Sequence, residues 1–408
     1  PFPVSPKSID AIILTHAHLD HSGYLPKLVR EGFEGPIFCS SASADLCEIL
    51  LKDSAFIAEK DAFLANKHKY TKHAPALPLY TIKDAEAALK QLRPIPFHKE
   101  IELPGGGQVK LRRAGHILGA ANAELHWGGK TIVFSGDIGR YGDPFMLDPE
   151  PVAAADYVLV ESTYGDRTHP KNDPMEALGS VIEKTARRGG TVVIPAFAVG
   201  RAQLIMYYLW KLKQAGRIKI VPIFLDSPMA INATDLLCRH LDDHRLPPDV
   251  CKQSCDIATY LREVDDSKRI TRDTTPKVVI AASGMLTGGR VLHHLKAFGQ
   301  DSRNTILFSG YQAGGTRGEK LLNGAESVKM FGQWFPIRAE IASLPALSAH
   351  ADSDEILKWL SGFKHAPART FVVHGEPKAS DALRMRIGEE LGWNSTVVDS
   401  TDRYFLEG

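Results

Sequence analysis

Histidine and aspartate fall at metal-binding spacing in Thr15-His16-Ala17-His18-Leu19-Asp20-His21, where six consecutive residues from His16 carry three imidazoles and one carboxylate. In a tight loop, side chains two apart converge on one point while the next pair reaches another. Imidazole and carboxylate donors with no thiolate suit a hydrolytic Zn²⁺ or Mn²⁺ centre rather than a closed structural one. The preceding Asp10-Ala11-Ile12-Ile13-Leu14 has the length and apolar content of a buried strand. Ser22 has the chemistry of a cap for a helix predicted to start near Gly23, with Pro26 and Gly32 bracketing that segment. The histidines therefore leave the carboxyl end of a strand and turn into a helix, which is where open α/β sheets hold their sites.

Other groups that could do chemistry recur at predicted strand ends. His116 lies in the small-residue loop Arg113-Ala114-Gly115-His116-Ile117-Leu118-Gly119-Ala120, between strands predicted near Gln108–Arg112 and Ala123–Trp127. Alone, it reads equally as a ligand or a packed histidine. Asp137 follows the β-branched run Lys130–Phe134 and sits among glycines. A lone aspartate there forms an Asx-turn, whereas beside a metal motif its two oxygens suit a bridge between cations. Glu161 ends the apolar run after Asp156, His350 lies in Ser348-Ala349-His350, and His374 follows Thr370-Phe371-Val372-Val373.

The elements that must position these groups imply two domains. A chain of 408 residues, 44% hydrophobic and 24% charged, can bury two cores. Its net charge of +1 gives no global field for nucleic acid, so affinity for RNA must come from local patches. No apolar run is long enough to span a bilayer. Five cysteines without a C-x-x-C pair favour a reducing, cytoplasmic setting. The polar stretch 166–174 reads as a linker. Beyond it, helices near 175–188 and up to Gln214 alternate with strands near 190–195, 218–225, 277–282 and 305–309, the pattern of a parallel βαβ domain. Segments 346–352 and 370–377 read as a return to the first domain, so the expected division is 1–166, 167–345 and 346–408. His68, His73, His98, His126, His169, His240, His244, His293, His294 and His365 are read as structural, as are Cys251 and Cys255, which show no other ligand nearby in sequence.

The H-x-H-x-D-H segment resembles the signature of the metallo-β-lactamase superfamily. Taken in order, the chain resembles its β-CASP nucleases, and is similar to the endonuclease subunit of the mRNA 3′-end cleavage complex and bacterial relatives. His16, His18, Asp20 and His21 match the family's second motif, His116 the third and Asp137 the fourth. Glu161 in Glu-Ser-Thr-Tyr-Gly matches motif A, His350 motif B, and His374 in His-Gly-Glu motif C. Histidine at motif C goes with RNA-acting members, valine with DNA-repair ones. The implied fold is α/β, a metallo-β-lactamase αββα sandwich carrying an inserted β-CASP domain of parallel-sheet type. The family's first motif, an early aspartate, has no counterpart after Pro1-Phe2-Pro3. The start is read as lacking native upstream residues, with an exposed sheet edge and poor solubility as the expected result.

The resemblance implies two Zn²⁺, with Mn²⁺ as the alternative: one held by His16, His18 and His116, the other by Asp20, His21 and His374, and Asp137 bridging them. A bridging hydroxide would attack the phosphorus of single-stranded RNA in line with the leaving 3′ oxygen. His350 would protonate that oxygen as general acid, and Glu161 would orient it. Ser283 and Gly284, at a glycine-rich turn between a strand and a helix, are candidates to bind the RNA backbone, with Arg317 and Arg201. A homodimer is left open. So are two other readings: a hydrolase of a small ester or thioester, and a non-catalytic RNA-binding scaffold.

Overall fold

The computed structural model describes residues 2–69, 71–399 and 402–406, so the expectation tied to Pro1 lies outside the described residues. Two units emerge: Pro1–Thr168 with His350–Gly408, and His169–Ala349.

The first unit begins with strand β1 (Ile12–Ile13), and helices α1 (Leu19–Ser22) and α2 (Leu25–Arg30) follow the histidine-rich loop. The helix expected near Gly23 is thus two short pieces, and Ser22 caps neither. Its buried hydroxyl instead donates to the Ala17 carbonyl at 2.8 Å, tightening the loop around His18 and Asp20. Strand β2 (Ile37–Cys39), helices α3 (Ser41–His68) and α4 (Ile82–Leu89), and strand β3 (Leu92–Pro94) come next. Helix α3 starts where the Ser40 hydroxyl accepts the Ser43 N–H at 3.1 Å. Strands β1, β2 and β3 form a small parallel sheet in that order. Strands β4 (Ile101–Glu102), β5 (Gln108–Arg113), β6 (Ala121–Trp127), β7 (Lys130–Phe134) and β8 (Tyr157–Glu161) belong to a larger one.

The second unit alternates helices and strands: α5 (Pro174–Arg187), β9 (Val192–Pro195), α6 (Arg201–Gln214), β10 (Ile223–Leu225), α7 (Pro228–Leu237), α8 (Pro248–Cys255), β11 (Thr259–Tyr260) and α9 (Val264–Arg272). It continues with β12 (Val278–Ala281), α10 (Val291–Phe298), β13 (Thr305–Phe308), α11 (Arg317–Leu322), β14 (Ser327–Met330), β15 (Gln333–Pro336) and β16 (Glu340–Ser343). Its six strands run in the order β11-β10-β12-β9-β13-β16, parallel throughout, while β14 and β15 form a separate hairpin. Every residue of β9, β12 and β13 is buried, as expected for central parallel strands covered on both faces. Val193, Ala281, Ile306 and Phe308 pack there against Leu292, Leu295 and Phe298 of α10.

The chain returns to the first unit with α12 (Ser353–Leu360), β17 (Arg369–Val373), α13 (Pro377–Leu391) and β18 (Ser395–Val397). The larger sheet then reads β18-β17-β8-β7-β6-β5-β4. Strands β7, β8 and β17 are parallel, and β6 is antiparallel to both β5 and β7. Strands β5, β7, β8 and β17 therefore share a direction, and their carboxyl ends share one edge. One face packs Val109, Leu111, Ala121 and Ala123 against Phe38 and Ile13 of the small sheet. The other packs Val133, Val158, Val160 and Val372 against Ile356, Trp359 and Leu360 of α12 and Leu383 and Ile387 of α13. Alternate residues thus serve opposite faces, as strand geometry requires. The fold is α/β, two sheets face to face with helices outside, plus an inserted parallel α/β unit. Among the described residues, no helix is long and apolar enough to cross a membrane.

Trp359 is 1% exposed, and its indole N–H donates to the Glu150 carbonyl at 3.0 Å. Trp359→Ala removes a large core side chain and leaves that carbonyl without its donor. It is expected to destabilise the first unit by about 3–5 kcal/mol, read as a lower urea midpoint at unchanged slope.

Candidate metal centre

The histidine-rich loop is fastened to both sheets of the first unit before its side chains diverge. The Leu14 N–H donates to the Phe38 carbonyl at 2.8 Å, and the Ala121 N–H to the Thr15 carbonyl at 2.9 Å. His116 comes from the loop after β5, Asp137 from the turn after β7, Glu161 from the end of β8, and His374 from just past β17. The Asp137 and His116 turns are tied by a 2.7 Å bond from the Gly139 N–H to the Ala114 carbonyl. A Cβ at Gly139 would lie 2.0 Å from the Gly115 carbonyl oxygen, so only glycine allows this approach. The same holds at Gly375, where a Cβ would meet the Ser162 hydroxyl at 2.3 Å. His374 itself has φ +53°, an uncommon backbone conformation for a non-glycine residue.

Asp137 is the centre of the arrangement. Its Oδ2 lies 3.3 Å from His16 Nε2 and 3.6 Å from His116 Nε2, and its Oδ1 lies 3.3 Å from His21 Nε2 and 3.4 Å from His374 Nδ1. His116 Nε2 is 3.2 Å from His18 Nδ1. On the other side, Asp20 Oδ2 lies 3.4 Å from His374 Nε2 and 3.8 Å from His21 Nε2. The donor atoms fall into two sets, each within 4.8 Å of one another: His16, His18, His116 and Asp137, and then Asp20, His21 and His374. The seven candidate ligands are therefore brought together, with one carboxylate oxygen turned toward each side.

The electrostatics suit cations. Burial holds His16 below the usual imidazole range despite nearby Asp137, pushes His18 down to about 3 with help from His16, and holds His116 well below 6.5. These rings stay neutral, the form that offers a lone pair to a metal. Burial works against the Asp137 carboxylate, but the surrounding histidines outweigh it and keep it ionised. Asp20 is likewise held low, its burial outweighed by His374 and His21. His374 is opposed by burial, yet Asp20 and Asp137 push it up to about 9. His16 Nε2, His21 Nε2, His116 Nδ1 and Asp137 Oδ1 are buried and make no hydrogen bond. A buried polar atom left so costs about 1–3 kcal/mol, and here the orphans cluster and are of types that ligate Zn²⁺ or Mn²⁺. The residues fit a pair of divalent cations.

Glu161 and His350 form a separate pair beside this cluster. Both Glu161 oxygens lie 3.2 Å from His350 Nδ1. Buried Glu161 also accepts the Ile138 N–H at 2.6 Å and the Thr163 N–H at 3.3 Å. Burial disfavours the charged His350 ring, but Glu161 and then Asp137 outweigh it and raise its pKa. The His350 and His116 ring centroids are 4.4 Å apart. Thr163, which the sequence reading did not single out, places its hydroxyl 3.3 Å from His374 Nδ1. Its place in Glu-Ser-Thr-Tyr-Gly, two residues after Glu161, is the available signal.

The candidate RNA-binding residues lie in the second unit, in loops after β9, β12 and β13, adjacent parallel strands whose carboxyl ends share an edge. Ser283 bonds Thr287 Oγ1 at 2.8 Å, Gly284 offers its carbonyl to Gln312 at 3.0 Å, and buried Arg201 follows Gly200 at the start of α6. Arg317 departs from expectation. Its Nε donates to the Lys329 carbonyl at 2.7 Å and its Nη1 to those of Leu286 and Thr287 at 2.9 and 3.2 Å. These carbonyl contacts make Arg317 a clamp between two loops. Cys251 and Cys255 also depart from expectation, since Cys238 Sγ lies 2.9 and 3.7 Å from theirs. Helical spacing from Cys251 to Cys255 was a visible signal; the approach of Cys238 was not.

Three family models match in succession: "Metallo-beta-lactamase superfamily" over residues 3–195, "Beta-Casp domain" over 202–321, and "Zn-dependent metallo-hydrolase RNA specificity domain" over 334–398. Ribonuclease TTHA0252 of Thermus thermophilus is 38% identical over 391 residues, covering 94% of this chain and 85% of that protein. Transcription termination factor FttA of Methanosarcina mazei is 32% identical over 411 residues, 96% of this chain and 62% of that protein. The Methanocaldococcus jannaschii factor of the same name is 32% identical over 396 residues, 91% of this chain and 59% of that protein. The chain thus spans about three-fifths of those two archaeal relatives.

Removing the carboxylate between the two donor sets tests the centre. Asp137→Ala is expected to hold fewer metal ions per chain than the unaltered protein, by plasma mass spectrometry, with its far-ultraviolet circular dichroism unchanged. An unchanged metal content would show that Asp137 does not join the sites.

Proposed function

The chain belongs to the β-CASP family of the metallo-β-lactamase superfamily, and from that premise we propose that it is a zinc-dependent ribonuclease hydrolysing phosphodiester bonds of single-stranded RNA. Its work would lie in RNA processing or decay in the cytoplasm. The observation that carries the reading is the single carboxylate of Asp137 facing two separate donor sets, with the Glu161–His350 pair alongside. Two zinc ions held by His16, His18 and His116, and by Asp20, His21 and His374, would make the attacking water more acidic and neutralise charge on the phosphate. The protein's own share of the chemistry is proton transfer and positioning. His350 is protonated more readily than an ordinary histidine and its Nδ1 is held by Glu161, which suits it to give a proton to the leaving 3′ oxygen. Glu161 is in turn fixed by the Ile138 and Thr163 amides. Histidine at position 374 and a relative named as a ribonuclease support RNA over DNA. A small-ester hydrolase would leave the Glu161–His350 pair and the inserted unit without a task.

His350→Ala is expected to retain zinc and fold while cleaving end-labelled single-stranded RNA about 10²–10⁴-fold more slowly. A substrate with sulfur at the 3′ bridging position, whose departure needs less protonation, should recover part of that loss. Unimpaired cleavage by the variant would remove His350 from the proton-donor role.

Glu161→Gln should shift the pH profile in a defined direction. A general acid must be protonated, so activity falls as pH rises through its pKa. The carboxylate raises that pKa, so its loss should move the alkaline limb of kcat/KM to lower pH. A limb that stays in place would mean that Glu161 does not tune His350.

A further inference from the structure

Three thiols meet in the second unit, away from any residue given a role above. Cys238 is the C-cap of α7, while Cys251 and Cys255 lie one turn apart on α8 and so share a face. Cys238 Sγ is 2.9 Å from Cys251 Sγ and 3.7 Å from Cys255 Sγ, and the three sulfurs lie within 4.8 Å of one another. Cys251 is 0% and Cys255 8% exposed, whereas Cys238 reaches partway to solvent. From this geometry we propose a second kind of metal site, a Zn²⁺ ion held by the thiolates of Cys238, Cys251 and Cys255 that ties α7 to α8.

The chemistry of the pocket supports a cation over simple apolar packing. Zinc–thiolate bonds of about 2.3 Å in a tetrahedron place the sulfurs roughly 3.7–3.8 Å apart, the separation already present between Cys238 and Cys255. Cys238 and Cys251 would have to part by somewhat under about 1 Å from 2.9 Å. Binding would displace the three thiol protons to solvent. Thiolate is the ligand type that selects soft or borderline ions, in contrast to the imidazole and carboxylate donors of the first unit. Buried His244 completes the surroundings. Its Nδ1 accepts the Leu246 N–H at 3.1 Å, which places the ring proton on Nε2, 3.1 Å from the Leu237 carbonyl and 4.0 Å from Cys251 Sγ. That nitrogen is a donor, so His244 orients the site and steadies thiolate charge, as histidines and amides do around metal ligands. Partly exposed Cys238 lets water take the fourth position. A disulfide would consume two of the sulfurs and leave the third without a partner in the same pocket. The site would join the ends of the segment 238–251 between the two helices, and closing that loop lowers the conformational entropy of the unfolded chain.

Zinc absorption spectroscopy on the full chain distinguishes this site from the first, because only this one contains sulfur. The expected result is a sulfur shell at about 2.3 Å beside the nitrogen and oxygen shell, with three zinc ions per chain in total. Cys255→Ser should lose the third ion and weaken the sulfur shell while the other two ions remain. Asp137→Ala should do the reverse, keeping a sulfur-bound zinc. Absence of any sulfur shell in the unaltered, zinc-loaded protein would overturn the proposal whatever the variants do. So would an intact mass lighter by two hydrogens before reduction, the mark of a Cys238–Cys251 disulfide.

Discussion

A carboxylate that is buried and ionised must be surrounded by groups that favour its charge, and Asp137 meets that requirement with four imidazoles drawn from three different loops. At 2% exposure it has almost no water to stabilise it. Removing its partners would leave a buried charge uncompensated, a cost of several kcal/mol. The organisation of the first unit follows from this constraint. Strands β5, β7, β8 and β17 must run one way so that their ends present His116, Asp137, Glu161 and His374 together. The small sheet must deliver the histidine-rich loop to the same edge, which it does through the Leu14 and Thr15 backbone bonds.

Two polar groupings at that edge are finished to different degrees, and the difference separates their tasks. Glu161 is satisfied by two backbone amides and by His350, so the pair is rigid and complete within the protein. The histidine cluster is incomplete: several buried nitrogens and one Asp137 oxygen have no hydrogen bond. Groups left so in a packed interior are tolerated where something else satisfies them. Under the proposed function, proton handling would fall to the finished pair and cation binding to the unfinished cluster.

The second unit obeys the same topological rule with different side chains. Its parallel strands β9, β12 and β13 end in glycine-rich loops on one edge. The Arg317 guanidinium and the Gln312 amide spend their hydrogen bonds on holding those loops to one another. Their contribution is shape. The thiol cluster sets the C-cap of α7 against α8.

The local chemistry was legible in the order of residues. His16, His18, Asp20 and His21 crowd into one loop, and buried strand patterns precede Asp137, Glu161 and His374, so donor types and strand ends could be read directly. Parallel architecture in the middle of the chain was legible too, because strands covered on both faces are continuous apolar runs, as in Val192–Pro195 and Val278–Ala281. Tertiary structure decided what depends on approach between distant residues. It divided the two Asp137 oxygens between two donor sets, turned the Ser22 hydroxyl into the Ala17 carbonyl, and committed Arg317 to carbonyls. It also brought Cys238, thirteen residues before the nearer of its partners, against Cys251 and Cys255. Residue type and spacing record what a side chain is able to bind. Which neighbour reaches it first is settled by the packing of strands and helices that are far apart in the chain.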